Sequence, residues 1–384
     1  MTNPGVEIPP LSLANPFLIA SGPPGTNANV IARALREGWG GVVSKTVLLD
    51  ASRIVNVAPR YARLRFGEDI VGWENIELIT DRPLGVWLDE FRRLRDDFPG
   101  KTIIASIMEE PSRDAWHEIV ERVQATGVDA LELNLSCPHG LPEQRMGAAI
   151  GQDAELVGRV CGWAMEAARV PVWAKLTPNV TDIRLAADAA LGAGCQGVSA
   201  INTILSIMGV NLDTLAPEPA VEGHSTPGGY SGQAIRPIAL RMVAETAALI
   251  RDRYPGRSLS AIGGVERAEH AIEHLLLGAT TVQVCTGVMI HGYGLIHDLR
   301  RGLDAFMQRH GFSTIDDFRG RALARLTTHA DLVRRQAQAR AAAASSLREV
   351  KPLSSDTQWR AESIVEQSRG LADETLSDSG ERHG

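Results

Sequence analysis

Leu131 to Gly140 reads LELNLSCPHG, and the reading of this stretch decides the fold. Leu131, Leu133 and Leu135 alternate as a β-strand requires, and Pro138 to Pro142 (PHGLP) then turns the chain into a loop. An apolar strand that delivers Asn134, Ser136 and Cys137 to its C-terminal end is what a βα unit of an α/β barrel looks like, and such barrels keep their chemistry at strand outlets. An unpaired cysteine most often simply packs. Cys137 has a different context, with two hydrogen-bonding side chains before it and Pro138 and His139 after it, so it is a candidate reactive thiol.

Working outward, the same kind of short apolar run recurs along the chain: PFLIAS from 16, GVVSKT from 41, TIIASI from 102, PVWAKL from 171, QGVSAI from 196, SLSAIGG from 258 and TTVQVC from 280. With DALELN from 129 these make eight candidate strands. The intervening stretches are helical. In 153–169, Leu156, Val157, Val160, Ala164 and Ala167 recur at spacings of a helix behind Asp153, an N-cap, and 182–193 and 267–277 read the same way. Eight βα units in unbroken alternation predict a (β/α)8 TIM barrel. Two connections, 47–81 and 204–234, exceed what a barrel needs and leave C-terminal strand ends, so they are expected to rise over the mouth that carries Cys137. The barrel is expected over 1–320, a helical extension over 321–353, where QAQARAAAA reads as a surface helix, and a mobile tail over 354–384.

Composition narrows the function. Of 384 residues, 44% are hydrophobic and 22% charged, as in a soluble globular protein. A net charge of -7, with Lys and Arg scattered rather than striped, argues against nucleic acid as a partner. The sequence shows neither a signal pattern at its start nor an apolar run long enough to span a bilayer, so a membrane role is not expected. Cys137, Cys161, Cys195 and Cys285 have no CxxC spacing, which leaves no local zinc or iron–sulfur motif and fits a reducing cytoplasm.

Three sets of residues join Cys137 as candidates. Lys45 in VSKT and Lys175 in WAKLTPN end buried strands, where an ammonium needs an anionic or electron-rich partner; a Schiff base or charge stabilisation of a cofactor would each use one. Gly263-Gly264, Cys285-Thr286-Gly287 and Gly228 to Gly232 offer exposed backbone N–H groups near helix starts, as a phosphate requires. Asn75, Asn134 and Asn202 with Thr203 place paired donors and acceptors at outlets or on overlying loops, which suits a flat heterocycle rich in C=O and N–H groups.

Taken together, ELNLSCPHG, AKLTPNVTDI, NVAPR, NIELI, IASIM, GQDAELV, SGQAIRPIAL and the GG…QVC pair resemble the FMN-binding barrel of dihydropyrimidine dehydrogenases, within the dihydroorotate dehydrogenase superfamily, from about Val6 to Arg319. The resemblance implies FMN with its phosphate on Gly263, Gly264, Cys285 and Thr286, Gly232 nearby, and Ala20, Ser21, Lys45, Thr46 and Lys175 around the ring system. It implies that Asn75, Asn134, Ser136, Asn202 and Thr203 hold a pyrimidine, and that Cys137 is the acid/base on a lid of roughly Pro138 to Gly151. The implied reaction is hydride exchange with flavin N5 at one carbon of the C5–C6 bond and proton transfer by Cys137 at the other.

Departures from the family pattern carry expectations of their own. No cysteine follows Cys285, so the two [4Fe–4S] clusters of the dihydropyrimidine group cannot be wired through this chain, and a separate electron-transfer partner or second substrate is expected. Glu74 sets a carboxylate beside Asn75, which would repel an anionic pyrimidine such as orotate. The rival readings are a soluble-class dihydroorotate dehydrogenase, a Schiff-base aldolase built on Lys45 or Lys175, and a non-catalytic flavin-binding subunit. A homo-oligomer is expected.

Overall fold

The computed structural model describes residues 2–138 and 145–346, with side chains described through residue 341. Its centre is a closed barrel of eight parallel strands: β1 Phe17–Ile19, β2 Gly41–Val43, β3 Thr102–Ile107, β4 Ala130–Asn134, β5 Val172–Lys175, β6 Gly197–Ala200, β7 Ser258–Ile262 and β8 Thr281–Val284. Each strand pairs with its neighbours in sequence, and β8 closes on β1. One helix follows each strand: α1 Ala28–Glu37, α2 Leu84–Asp97, α3 Arg113–Gln124, α4 Ala154–Ala167, α5 Ile183–Gly192, α6 Arg236–Arg253, α7 Ala268–Leu276 and α8 Leu295–His310. The expected (β/α)8 architecture is therefore present, and each of the eight runs read as strands supplies one.

The local chemistry explains the boundaries. Asp153 caps α4 by accepting the Leu156 N–H at 3.1 Å, and Asp182 caps α5 by accepting the Arg184 N–H at 3.0 Å. Along β4, Leu131 and Leu133 face the helices and are fully buried, while Glu132 and Asn134 alternate to the barrel interior. Each such leucine contributes roughly 1.5–3 kcal/mol by leaving water, enough to fix the strand register and with it the face that Asn134 shows.

The two long connections do rise over the C-terminal mouth, and they are more ordered than loops. Tyr61–Phe66 and Asp69–Asn75 form a hairpin, which pairs through Asp69–Asn75 with Gly228–Ser231, and that strand pairs in turn with Ile204–Ser206. At the other end of the barrel a small hairpin, Val6–Ile8 with Leu11–Leu13, packs Leu11 and Leu13 against the strand starts.

The compact unit that holds the barrel ends at Arg325, a few residues beyond the boundary read from sequence, and a second unit begins at Leu326. Within that second unit the described residues form the helix His329–Ser346. The expected tail at 354–384 lies outside the described residues, as do 139–144 of the expected lid.

Candidate active site

Seven of the eight strand outlets, all but that of β3, contribute to the lining of one cavity of about 1090 Å3, its open mouth included, between the barrel and the overlying sheet. Fifteen of the sixteen residues singled out from sequence line it: Ala20, Ser21, Lys45, Thr46, Asn75, Asn134, Cys137, Lys175, Asn202, Thr203, Gly232, Gly263, Gly264, Cys285 and Thr286. Ser136 is the exception. It is fully buried behind the wall, donating its hydroxyl to Asn134 Oδ1 at 3.0 Å and accepting from Asn202 Nδ2 at 2.9 Å, so it orients two amides rather than facing the cavity.

The amides are held before any ligand arrives. Asn134 Nδ2 donates to Thr46 Oγ1 at 2.9 Å, and Thr46 Oγ1 in turn lies 2.8 Å from Ser106 Oγ. Asn202 Oδ1 accepts the Thr203 N–H at 2.8 Å. Asn75 reaches the cavity from the overlying sheet, where it donates to Gly229 O at 3.1 Å. Gly229 makes this approach possible, because a Cβ there would come within 2.2 Å of Thr203 Oγ1. Each amide thus spends part of its capacity on the protein and keeps part for a planar polar guest.

Cys137 combines the two readings set against each other above. It is 7% exposed and packs with Leu48, Ala51, Ile54, Ile79, Met108 and Met146, yet it also lines the cavity. An apolar collar of this kind fixes a thiol's position and keeps water from it.

The two lysines are both buried and both have carboxylates. Lys45 Nζ lies 2.8 Å from Glu77 Oε1, and Lys175 Nζ lies 3.9 Å from Glu132 Oε1. Glu77 also accepts from Tyr61 Oη at 2.7 Å, and burial with that hydrogen bond pushes the Tyr61 hydroxyl far above its ordinary range. Cys285, packed between these charges, has its thiol pushed up to about 11, chiefly by burial.

Here the structure corrects one expectation. Glu74 does not face the substrate space: it is fully buried on the side of its strand opposite Asn75, accepts from Ser206 Oγ at 2.6 Å, and has its carboxyl raised by burial. Two residues in a row on a strand point to opposite faces. The carboxylate on the wall near Asn75 and Lys45 is Glu77, which the sequence reading passed over.

At the far end of the cavity, Gly232, Gly263 and Gly264 have φ of 95°, 136° and 72°, values that favour glycine. A Cβ on Gly264 would also meet Arg236 Cβ at 2.6 Å, so glycine lets the start of α6 close on the β7 turn. Glu266 lines this end too, with one oxygen 3.4 Å from His291 Nε2. Any anion bound here must outweigh that carboxylate through backbone donors.

The residues present fit a flavin nucleotide on two observations. The cradle at Gly22 has no room for a side chain, since a Cβ would fall 2.6 Å from Cys285 Sγ, and Gln283 on the cavity floor holds a buried Oε1 with no hydrogen-bond partner among the described residues. A ring rich in N–H and C=O groups would answer that acceptor. Tyr61, Trp73, Gln283, Glu77 and Ile201 were missed from sequence because nothing local to them signals a site; Tyr61 and Trp73 arrive on the hairpin, and Gln283 reads as an ordinary strand residue.

A parallel barrel with its polar side chains converged on the C-terminal mouth is the architecture of a (β/α)8 enzyme. Comparison with known proteins gives the family: residues 5–307 match the family described as dihydroorotate dehydrogenase, and the chain belongs to it. It is 53% identical, over 95% of its length and 87% of the relative's, to a chloroplastic dihydropyrimidine dehydrogenase (NADP(+)) of Arabidopsis thaliana. It is 39% identical, over 86% of its length and 78% of the relative's, to the NAD-dependent dihydropyrimidine dehydrogenase subunit PreA of Escherichia coli (strain K12). The catalytic subunit of dihydroorotate dehydrogenase B (NAD(+)) from Pyrococcus abyssi is 34% identical over 82% of this chain and 97% of its own. Among solved structures, the dihydroorotate dehydrogenase of Eimeria tenella in complex with ferulenol superposes with a TM-score of 0.69 over 83% of this chain and 88% of that one, at 21% identity, and so shares the fold.

Proposed function

We propose that this chain is an FMN-dependent oxidoreductase acting on the C5–C6 bond of a neutral pyrimidine or a similar cyclic amide. The observation that carries the reading is the convergence of Cys137, Asn75, Asn134, Asn202 and Thr203 with Lys45 and Lys175 on one cavity. Gly232, Gly263, Gly264, Cys285 and Thr286 would hold the cofactor's phosphate, and Ala20, Ser21, Lys45, Thr46 and Lys175 would surround its ring system. When bound, FMN supplies a two-electron carrier that exchanges hydride with one carbon of a C=C bond conjugated to a carbonyl.

The chain's own residues do the rest. Asn75, Asn134, Asn202 and Thr203 match the donors and acceptors of a pyrimidine edge, with Ser136 holding two of those amides in register. Cys137 gives or takes the proton at the adjacent carbon, the part of a general acid/base. Lys175 sets a fixed cation against the negative charge that develops.

Substrate charge separates the main reading from its nearest rival. Glu77 places a carboxylate on the wall and occupies Lys45 at 2.8 Å, which supports a neutral pyrimidine over a substrate that carries its own carboxylate. The same ion pair counts against a Schiff base at Lys45, since that chemistry needs a neutral amine. A non-catalytic flavin-binding subunit would have no use for the thiol and the amides together. We assign the electrons to a separate partner protein, a diffusible donor or a second substrate, a reading supported by two relatives that are named as subunits, PreA and the catalytic subunit of dihydroorotate dehydrogenase B. Among the described residues no helix is long and apolar enough to cross a membrane, and we place the protein in the cytoplasm as a homo-oligomer.

Anaerobic mixing of the flavin-loaded protein with dihydrouracil or with dihydroorotate tests the reading. Bleaching of flavin absorbance by dihydrouracil is expected, with dihydroorotate much slower. The opposite preference would make the chain a dihydroorotate dehydrogenase, and no bleaching by either would remove the pyrimidine assignment.

A further inference from the structure

One buried carboxylate beneath the site takes part in no step above. Glu132 on β4 is 1% exposed and lines a second, smaller cavity inside the barrel, below the one that opens at the mouth. Its Oε2 accepts from Ser199 Oγ on β6 at 2.7 Å and from Gln283 Nε2 on β8 at 2.8 Å. Those two bonds, one from the strand two along from β4 and one from the strand directly across the barrel, fix the carboxylate plane. Its Oε1 has no hydrogen-bond partner among the described residues and lies 3.9 Å from Lys175 Nζ on β5. That distance is too long for a hydrogen bond, yet two opposite charges so close and so deeply buried attract strongly.

We infer that Glu132 is a positioning residue for Lys175. It is the anchored counter-charge that draws the Lys175 ammonium to the cavity floor without consuming its hydrogen-bond donors. A lysine has a flexible four-carbon stem and many rotamers, and a fixed anion below it selects those that keep the head central. Because the contact is charge without a hydrogen bond, the three N–H groups remain available to a group in the cavity above. Lys175 and Gln283 line that upper cavity and Glu132 does not, so Glu132 acts through its neighbours and never touches the guest. Lys45, the other ammonium at the mouth, cannot share the role, because Glu77 holds it at 2.8 Å. The neighbouring titratable group, the Cys285 thiol, is held neutral by burial and offers Lys175 no competing anion near neutral pH.

The inference rests on the FMN reading, and the test separates the two. Dissociation constants for oxidised FMN would be measured by fluorescence quenching for the wild type, Glu132→Gln, Lys175→Met and the double variant. The oxidised ring system is uncharged, so a change in affinity reports the placement of Lys175 rather than the charge of Glu132 itself. Each single variant is expected to lose about tenfold in affinity, and the double variant no more than Lys175→Met alone, as two residues acting through one contact should. Thermal midpoints give an independent reading: Lys175→Met strands a buried carboxylate, so removing Glu132 as well should raise the midpoint. Wild-type affinity in Glu132→Gln, or losses that multiply in the double variant, would overturn the inference. Failure of the wild type to bind FMN would refute the cofactor reading instead, and the thermal comparison would then decide alone, a double variant no more stable than Lys175→Met counting against the pairing.

Discussion

Cys137 shows how far a single residue can be read. Its position after an apolar strand and before Pro138 marked it as a candidate, but only the packing of Met108, Met146 and the 48–54 segment around it explains how the thiol is held still beside the cavity. Replacing it should separate chemistry from binding: Cys137→Ala is expected to keep FMN bound while slowing turnover by at least about a hundredfold, the usual scale for loss of a general acid/base, and Cys137→Ser should fall between. Single-turnover kinetics on the substrate identified above would check this, and wild-type rates in the alanine variant would reduce Cys137 to a packing residue. Glu74 and Glu77 show the limit of such reading. Sequence put the wrong carboxylate beside the substrate, because strand parity decides which of two neighbours faces inward, and the partner that draws attention to Glu77 is Lys45, more than a helix away in sequence.

At the scale of elements, the two long connections were legible as additions over the mouth but not as a sheet. Each forms a strand pair of its own, Tyr61–Phe66 with Asp69–Asn75 in one and Ile204–Ser206 with Gly228–Ser231 in the other, but the four strands become one sheet only when Asp69–Asn75 pairs with Gly228–Ser231 across the two connections, which is a tertiary event. The segment after β2 is pinned in another way. Glu109, just beyond β3, accepts the Leu49 N–H at 2.6 Å, and burial, partly offset by that hydrogen bond, raises its carboxyl to about 7 from 4.5. The sign follows from linkage. Well below pH 4.5 the folded and unfolded chains both hold the proton; between 4.5 and about 7 the unfolded chain ionises while the folded one resists, so stability falls, and above that the loss levels off at about 3 kcal/mol. Glu109→Gln should therefore be close to wild type in stability at low pH and more stable at pH 8. Urea denaturation at the two pH values would measure the difference, and an equal gap at both would show that Glu109 ionises freely in the folded protein.

For the molecule as a whole, the barrel predicts its own ligand chemistry. Denaturation should release FMN rather than FAD, in a ratio near one per chain, and the protein should prefer FMN over riboflavin, since on the proposed reading the glycine turns after β7 and β8 hold the cofactor's phosphate. Chromatography of the extract checks this, and a colourless protein that cannot be reconstituted with FMN would end the flavin reading. Iron should be absent, and NADH or NADPH alone should bleach the flavin slowly, because hydride transfer needs the nicotinamide held against the ring and the residues lining the cavity are those suited to a pyrimidine. Rapid, saturable bleaching in a stopped-flow instrument would show a nicotinamide site within this chain.

The sequence by itself determined the eight strands, the order of the barrel, the mouth at which Cys137 emerges and fifteen of the residues that line it, because those follow from short-range pattern and from the rule that parallel strands deliver their C-terminal ends to one side. Tertiary structure alone decided which side chains stand in contact across the barrel: Glu77 against Lys45, Ser136 behind the amides, and Glu132 below Lys175. Those partners come from different strands and loops, and which charges meet is fixed only when the barrel closes and the alternation of each strand meets that of its neighbours.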